Sequence, residues 1–213
     1  MKIINPHVEL ESDYLISPEL LLKHIEKVGR VCYKSEDKIT HDSYKDFIKM
    51  IIDRGHESVL EHASLTFKIT CDRGVSHELV RHRIASYSQE STRYCNYSLG
   101  KFDGDLTFVK PFFYDEASEP YRIWYRSMAE AEVAYMALLS MECKPQDARD
   151  LLPNSLKTEL YVTMDMRSWR HFLKLRTSKN AHPQMREIAL MIYDIFQSQF
   201  PILVSDIERI PLF

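Results

Sequence analysis

Two stretches of this sequence alternate apolar and polar residues with a period of two. In the first, Leu65, Phe67, Ile69 and Cys71 alternate with Ser64, Thr66, Lys68 and Thr70; the second is TELYVTMD over residues 158–165. That period puts every second side chain on one face, as a half-buried strand requires. The long segments around them carry apolar residues at helical spacing instead. The order helices, strand, helices, strand, helices predicts an α+β fold, a single domain over 1–213 with a small central sheet flanked by helices.

The helices can be placed by their start and stop signals. Ser17, Pro18 and Glu19 supply an N-cap and an N1 proline, and Leu20, Leu21, Ile25, Val28 and Val31 continue to about Tyr33. A second helix runs from Asp42 through Phe47, Ile48, Ile51 and Ile52, with Gly55 at a left-handed stop. Asp72 caps a short helix carrying Val75, Leu79 and Val80, which runs into Arg81, His82 and Arg83 and then a polar, tyrosine-rich loop to about Lys101. Thr107 to Lys110 reads as a further short strand. A long helix is predicted over about 118–142, with Ile123, Met128, Ala131, Tyr135 and Leu138 on its apolar side. Pro145 opens a short helix that Pro153 closes, and helices follow from Arg167 to Leu175 and from Pro183 to Phe200.

Composition excludes several classes. A net charge of −3 argues against a protein that coats nucleic acid or an anionic membrane, because both need a broad positive field. No secretory leader is expected from the start MKIINPHVEL, which has no basic and apolar regions of that kind, and no apolar run nears the roughly 18 residues that span a bilayer. Cys32, Cys71, Cys95 and Cys143 lie far apart without a CxxC pair, the usage of a reducing compartment, so a cytoplasmic protein is expected. Glycine occurs at only five positions, and neither GxGxxG nor GxxxxGK can be written. Any bound nucleotide must therefore be held by arginine, histidine, hydroxyls and helix N-termini.

HESVLEH, residues 56–62, is not a zinc-protease motif, since Leu60 stands where the second histidine is required. His56 and His62 are about 240° apart on a helix. No metal site is expected; helix capping by His56, Glu57 and Ser58 is the bland reading. No GxSxG is present, and Cys95 beside Tyr94 is the thiol nearest the basic cluster.

That cluster is RHRIASYSQESTR, Arg81 to Arg93. Guanidiniums and hydroxyls at this density match phosphate oxygens, and Arg81 and Arg83, about 200° apart on a helix, could address two anions. A second basic stretch holds Arg167, Arg170, His171, Lys174 and Arg176. On the residues alone, a solvated basic face remains open. So does a single-stranded nucleic-acid binding module stacking bases on Tyr87, Tyr94 and Tyr97, and a flavin-free nucleotide hydrolase or transferase with Glu57, Glu61 or Glu78 as base.

RHR, seven residues, a serine and then Arg93 resembles the signature of the flavin-dependent thymidylate synthases. HESVLEH upstream and DMRSWRHFLKLR downstream resemble that family's two other blocks, in the same order. The resemblance implies reductive methylation of dUMP to dTMP with FAD, methylenetetrahydrofolate as carbon donor and NADPH as reductant. It also implies a homotetramer with active sites at subunit interfaces.

By position, the resemblance assigns His56, Ser58, Glu61, Arg81, His82, Arg83, Gln89, Asp165, Arg167 and His171 to FAD. It assigns Glu78, Arg81, Gln89, Glu90, Ser91, Arg93, Arg149 and Arg176 to dUMP, with Arg176 as the catalytic group that activates the uracil. A hydride route needs no enzyme thiol, which makes Cys95 a bystander. Departures from the family's usual residues are Glu78 for Gln, Gln89 for Glu, Glu90 for an apolar residue, and Asp165 and His171 for Asn.

Overall fold

The computed structural model describes residues 1–11 and 17–212. Helices and short strands alternate through the chain: β1 Lys2–Ile4, β2 His7–Leu10, α1 Pro18–Arg30, α2 Ser43–Asp53, β3 Ser64–Asp72, α3 Arg73–Leu79, β4 Ser86–Gln89, β5 Thr107–Val109, α4 Glu119–Ser140, α5 Pro145–Ala148, β6 Lys157–Asp165, α6 Met166–Arg176 and α7 Pro183–Gln199. This is the α+β class that the two period-two stretches predict. A four-stranded sheet has the order β2-β3-β6-β4, and β1 pairs parallel with β5 in the register Lys2 to Thr107.

The start signals act as expected. Ser17 Oγ accepts the Leu20 amide at 3.3 Å, and Asp72 Oδ1 accepts the Val75 amide at 2.9 Å. Gly55 has φ +68°, the left-handed geometry that ends α2. Val31 to Tyr33 tighten into a 3-10 turn beyond α1, and Glu57 to His62 form another after Gly55.

Other expectations need correction. β1, β2 and β4 are strands that pattern reading missed, and β4 lies inside the segment predicted as a polar loop. α3 stops at Leu79, so Arg81 and Arg83 are not on a helix and their predicted angular separation does not apply. On α4 the buried residues are Trp124, Met128 and Tyr135, whereas Ile123 is 49% exposed.

The described residues form two compact units. The first comprises Met1–His7, Ile69–Arg81 and Ser88–Leu160; the second comprises Val8–Lys68, His82–Tyr87 and Tyr161–Phe213. The core of the first gathers Tyr97, Leu106, Phe108, Trp124, Met128, Tyr135, Ala148 and Leu156. Trp124 Nε1 donates to Ser155 Oγ at 3.0 Å, so this large buried ring keeps its polar atom satisfied.

The second unit centres on Trp169. Its ring meets Phe67 edge-on at 4.9 Å and Phe172 at 5.6 Å, and its Nε1 donates to the Leu65 carbonyl at 3.0 Å. α1 and α2 pack closely at Gly29, where a Cβ would fall 2.5 Å from Phe47 Cζ and 2.8 Å from Val59 Cγ1. Any larger residue at this position would have to push the Phe47 ring and the Val59 side chain aside.

Candidate active site

In the second unit the 57–62 turn and α6 are held together by charge. Arg167 Nη1 donates to Glu61 Oε1, joining two residues that the sequence assigned to one ligand. Deeper, Arg170 is fully buried and donates to Glu57 Oε1 at 2.9 Å and to Asp206 Oδ1 and Oδ2 at 2.8 and 2.9 Å. Lys174 lies 2.9 Å from Asp206 as well. Asp206 was not singled out in the sequence; an isolated aspartate near the C-terminus carries no motif that would reveal this partnership. Despite its partial burial, the two cations hold the Asp206 carboxyl down at about 2.

His56 and Ser58 are exposed on this turn, and His56 makes no side-chain cap, contrary to the capping reading. Asp165 caps α6: its carboxylate accepts the Ser168 amide at 2.8 Å and the Ser168 hydroxyl at 2.9 Å. An ionised carboxylate suits a helix N-terminus, which also explains how this position accommodates aspartate. His171 is exposed on α6, its ring 6.3 Å from that of His82.

At the end of α6, Arg176 Nε donates to His82 Nε2 at 3.0 Å. Burial first, then the Arg176 and His171 charges, lower the His82 pKa to about 4. Phe172 packs against the same imidazole at 5.0 Å, and the Tyr87 hydroxyl donates to the His82 carbonyl at 2.7 Å. Arg83 is exposed, as is Arg81.

The first unit carries the remaining residues. Glu78 is half-buried on α3. Gln89 Nε2 donates to Ser76 Oγ at 3.0 Å and to Thr158 Oγ1 at 3.2 Å. Glu90 accepts the Tyr97 hydroxyl at 2.7 Å and pairs with Lys157 at 2.9 Å, while its amide donates to the Glu159 carbonyl. The carboxylate that replaces the family's apolar residue is thus compensated within the protein, and burial, with Glu90 beside it, pushes the Tyr97 phenol upward.

Ser91 begins the turn that follows. Its Oγ accepts the Arg93 amide at 3.3 Å, and its carbonyl accepts the amides of Tyr94 and Cys95. Arg93 is exposed, lies over the Tyr94 ring at 5.2 Å and reaches Gln146 on α5 at 3.4 Å. Arg149, also exposed, sits in the 3-10 turn that continues α5. Two separate sequence blocks therefore meet at Arg93 and Gln146. Among the described residues, no group of three or more His, Cys, Asp or Glu could hold a metal ion, and no helix is long and apolar enough to cross a membrane.

The α+β fold is shared with the crystal structure of a UMP/dUMP methylase, PolB from Streptomyces cacaoi, bound with 5-Br dUMP. That chain superposes with a TM-score of 0.78 at 24% identity, covering 99% of each. The two chains thus share one fold. The sequence profile of the family described as thymidylate synthase complementing protein matches residues 19–202, and the chain belongs to that family.

Relatives named flavin-dependent thymidylate synthase include those of Geobacter sulfurreducens and Mycolicibacterium vanbaalenii. The first is 36% identical, covering 84% of this chain and 78% of that protein; the second is 34% identical, covering 88% and 80%. The one from Pyrococcus abyssi is 40% identical over 73% of this chain, and the match spans 64% of that relative's length.

Proposed function

We propose that this protein is an FAD-dependent thymidylate synthase, converting dUMP to dTMP with methylenetetrahydrofolate as carbon donor and NADPH as reductant. The observation that carries the reading is the array of exposed guanidiniums on the Arg81 to Arg93 block and on the turn after α5. Arg81, Arg83, Arg93 and Arg149 are all exposed, and among the described residues Arg81 and Arg83 have no side-chain hydrogen bond or ion pair. Guanidiniums left without an internal carboxylate are suited to phosphate oxygens. The donor set fits a dinucleotide held without glycine loops.

In this reading His56, Ser58, Glu61, Arg81, His82, Arg83, Gln89, Asp165, Arg167 and His171 serve the flavin site, Asp165 by fixing the start of α6 through its cap. Ser91, Arg93 and Arg149 grip the dUMP phosphate, with Arg81 reaching the same nucleotide. Glu78, Gln89 and Glu90 shape the nucleotide side, Gln89 and Glu90 through bonds that brace the segment before Ser91.

The transferred carbon enters at the methylene level and leaves as methyl, so two electrons must be added; a flavin held here would supply them as hydride, with NADPH as its reductant. Arg176 stabilises negative charge as it develops on the uracil ring, acting as a fixed cation because an arginine cannot serve as a base. Tetrahydrofolate is the other product.

Residues 1–213 act as one synthase domain, a reading supported by a family match that runs through both units. The enzyme is a cytoplasmic homotetramer with active sites at subunit interfaces. Flavin content and turnover test the proposal together. The purified protein should bind FAD and, with folate donor and reductant, release tritium from the 5 position of labelled dUMP. A protein that neither takes up FAD nor releases tritium would overturn the reading.

A further inference from the structure

We infer that His82 is a positioning residue for Arg176: its uncharged imidazole accepts the Nε–H of Arg176 and turns the guanidinium's terminal nitrogens toward the uracil. The inference rests on the synthase reading, in which Arg176 acts on that ring. It gives His82 a task on the nucleotide side that the sequence resemblance, which places it at the flavin, does not.

The geometry fixes the chemistry of the contact. An arginine only donates, so His82 Nε2, at 3.0 Å from Arg176 Nε, must present a lone pair and the ring proton must sit on Nδ1. A protonated imidazole has no lone pair to offer and would repel the guanidinium. Burial, Arg176 and His171 keep His82 in the required neutral form near neutral pH, since its pKa is lowered to about 4.

The imidazole is itself held. Phe172, one helical turn before Arg176 on α6, meets it edge-on at 5.0 Å and 67°. The Tyr87 hydroxyl anchors its backbone carbonyl at 2.7 Å. Ring, backbone and guanidinium are therefore set by one short loop and one helix of the same unit, which limits the rotamers Arg176 can adopt.

A neutral partner matters as much as a fixed one. A carboxylate at this point would orient the guanidinium but also cancel the charge needed at the uracil. His82 orients it without cancelling any charge. By accepting from Nε, it fixes the plane of the guanidinium and so the direction in which Nη1 and Nη2 point.

The test uses full-length protein loaded with FAD. His82→Gln places an amide oxygen near the position of Nε2, whereas His82→Asn places it near Nδ1, out of reach of Arg176. The two variants are alike in polarity and differ in where the acceptor lies. Tritium release should fall by roughly tenfold or more in His82→Asn, mainly in kcat, and distinctly less in His82→Gln. Turnover is read at saturating FAD, because the proposed function also places His82 at the flavin, so the difference between the two variants reports on Arg176.

In a background of Arg176→Lys, which lacks the Nε donor, His82→Asn should add almost no further loss, since both changes remove the same interaction. Losses that multiply in the double variant would overturn the inference, as would equal losses in Gln and Asn or a loss of FAD binding that accounts for the whole effect. If Arg176→Lys and Arg176→Ala both keep full turnover, the synthase reading of Arg176 fails, a different result from failure of the His82 role.

Discussion

Under the proposed function, Arg176 and Cys95 separate two routes of pyrimidine methylation at the level of single side chains. A route through an enzyme thiol would need a nucleophilic cysteine near the nucleotide, and Cys95 is half-buried beside the Ser91 turn, its amide bonded to the Ser91 carbonyl at 2.9 Å. A hydride route needs instead a fixed cation at the ring. Cys95→Ala should therefore keep turnover within about twofold, while Arg176→Ala should lower kcat/KM by about a hundredfold or more, both read by tritium release. The reverse pattern would assign the chemistry to the thiol. His82 offers a second check at this scale. Its ordinary value is 6.5 and the fold lowers it to about 4, so between those values the unfolded chain binds more protons than the folded one. Stability must then rise with pH across that window, and be lost as pH falls from about 6.5 toward 4. Urea midpoints measured over this range should show a shallower slope in His82→Gln than in the unsubstituted protein; equal slopes would mean that the imidazole is not held neutral by the fold. Residue type alone marked the arginines and serines of the basic cluster as candidate anion ligands and left a solvated face open beside that reading. The His82 to Arg176 bond was not, because it joins positions in different blocks and no spacing rule links them.

Elements were legible in proportion to their length. β3 and β6 have nine residues each, enough to display a period of two, and α4 shows both its Ser118 cap and its extent. β1, β2 and β4 have three or four residues, too few to separate alternation from chance, and Ser86 to Gln89 contains a single apolar position. Ile123 was misplaced because helical spacing defines a stripe but not the partner that covers its end; Trp124, the next residue, turns inward to reach Ser155. The start of α6 shows how an element's end can look like a ligand position. The sequence resemblance reads Asp165 as a flavin position, yet its carboxylate is committed to Ser168 through both the amide and the hydroxyl. Asp165→Ala should cost about 1 kcal/mol in denaturant unfolding, while Asp165→Asn, whose amide oxygen still accepts, should cost a few tenths. Equal losses for the two would show that the cap contributes little and that the side chain answers to some other partner.

Across the molecule, class and family were visible in the sequence, while the links between distant segments were not. Arg170 is the clearest case. Within its unit it joins the 57–62 turn to α6 and to Asp206, over separations of 113 and 36 positions. Read in sequence it was one more member of a basic stretch, since helical spacing cannot reveal that one arginine is fully buried while Arg167 and Lys174 lie exposed. A buried cation with two carboxylates is not by itself a large source of stability, because desolvation offsets much of the attraction. Breaking it is different. Arg170→Met would leave Glu57 and Asp206 facing one another with only Lys174 between them, a loss of about 3–5 kcal/mol. Adding Asp206→Asn removes one of the two stranded charges, so the double variant should be less destabilised than the sum of the single changes, and should recover part of the loss caused by Arg170→Met alone. Urea unfolding of the four proteins measures that coupling. Strict additivity would mean that Arg170 stabilises the unit through the packing of its stem rather than through its carboxylates. FAD affinity measured on the same set would then show whether the 57–62 turn depends on this charge for its shape, as its bond from Glu57 to Arg170 requires.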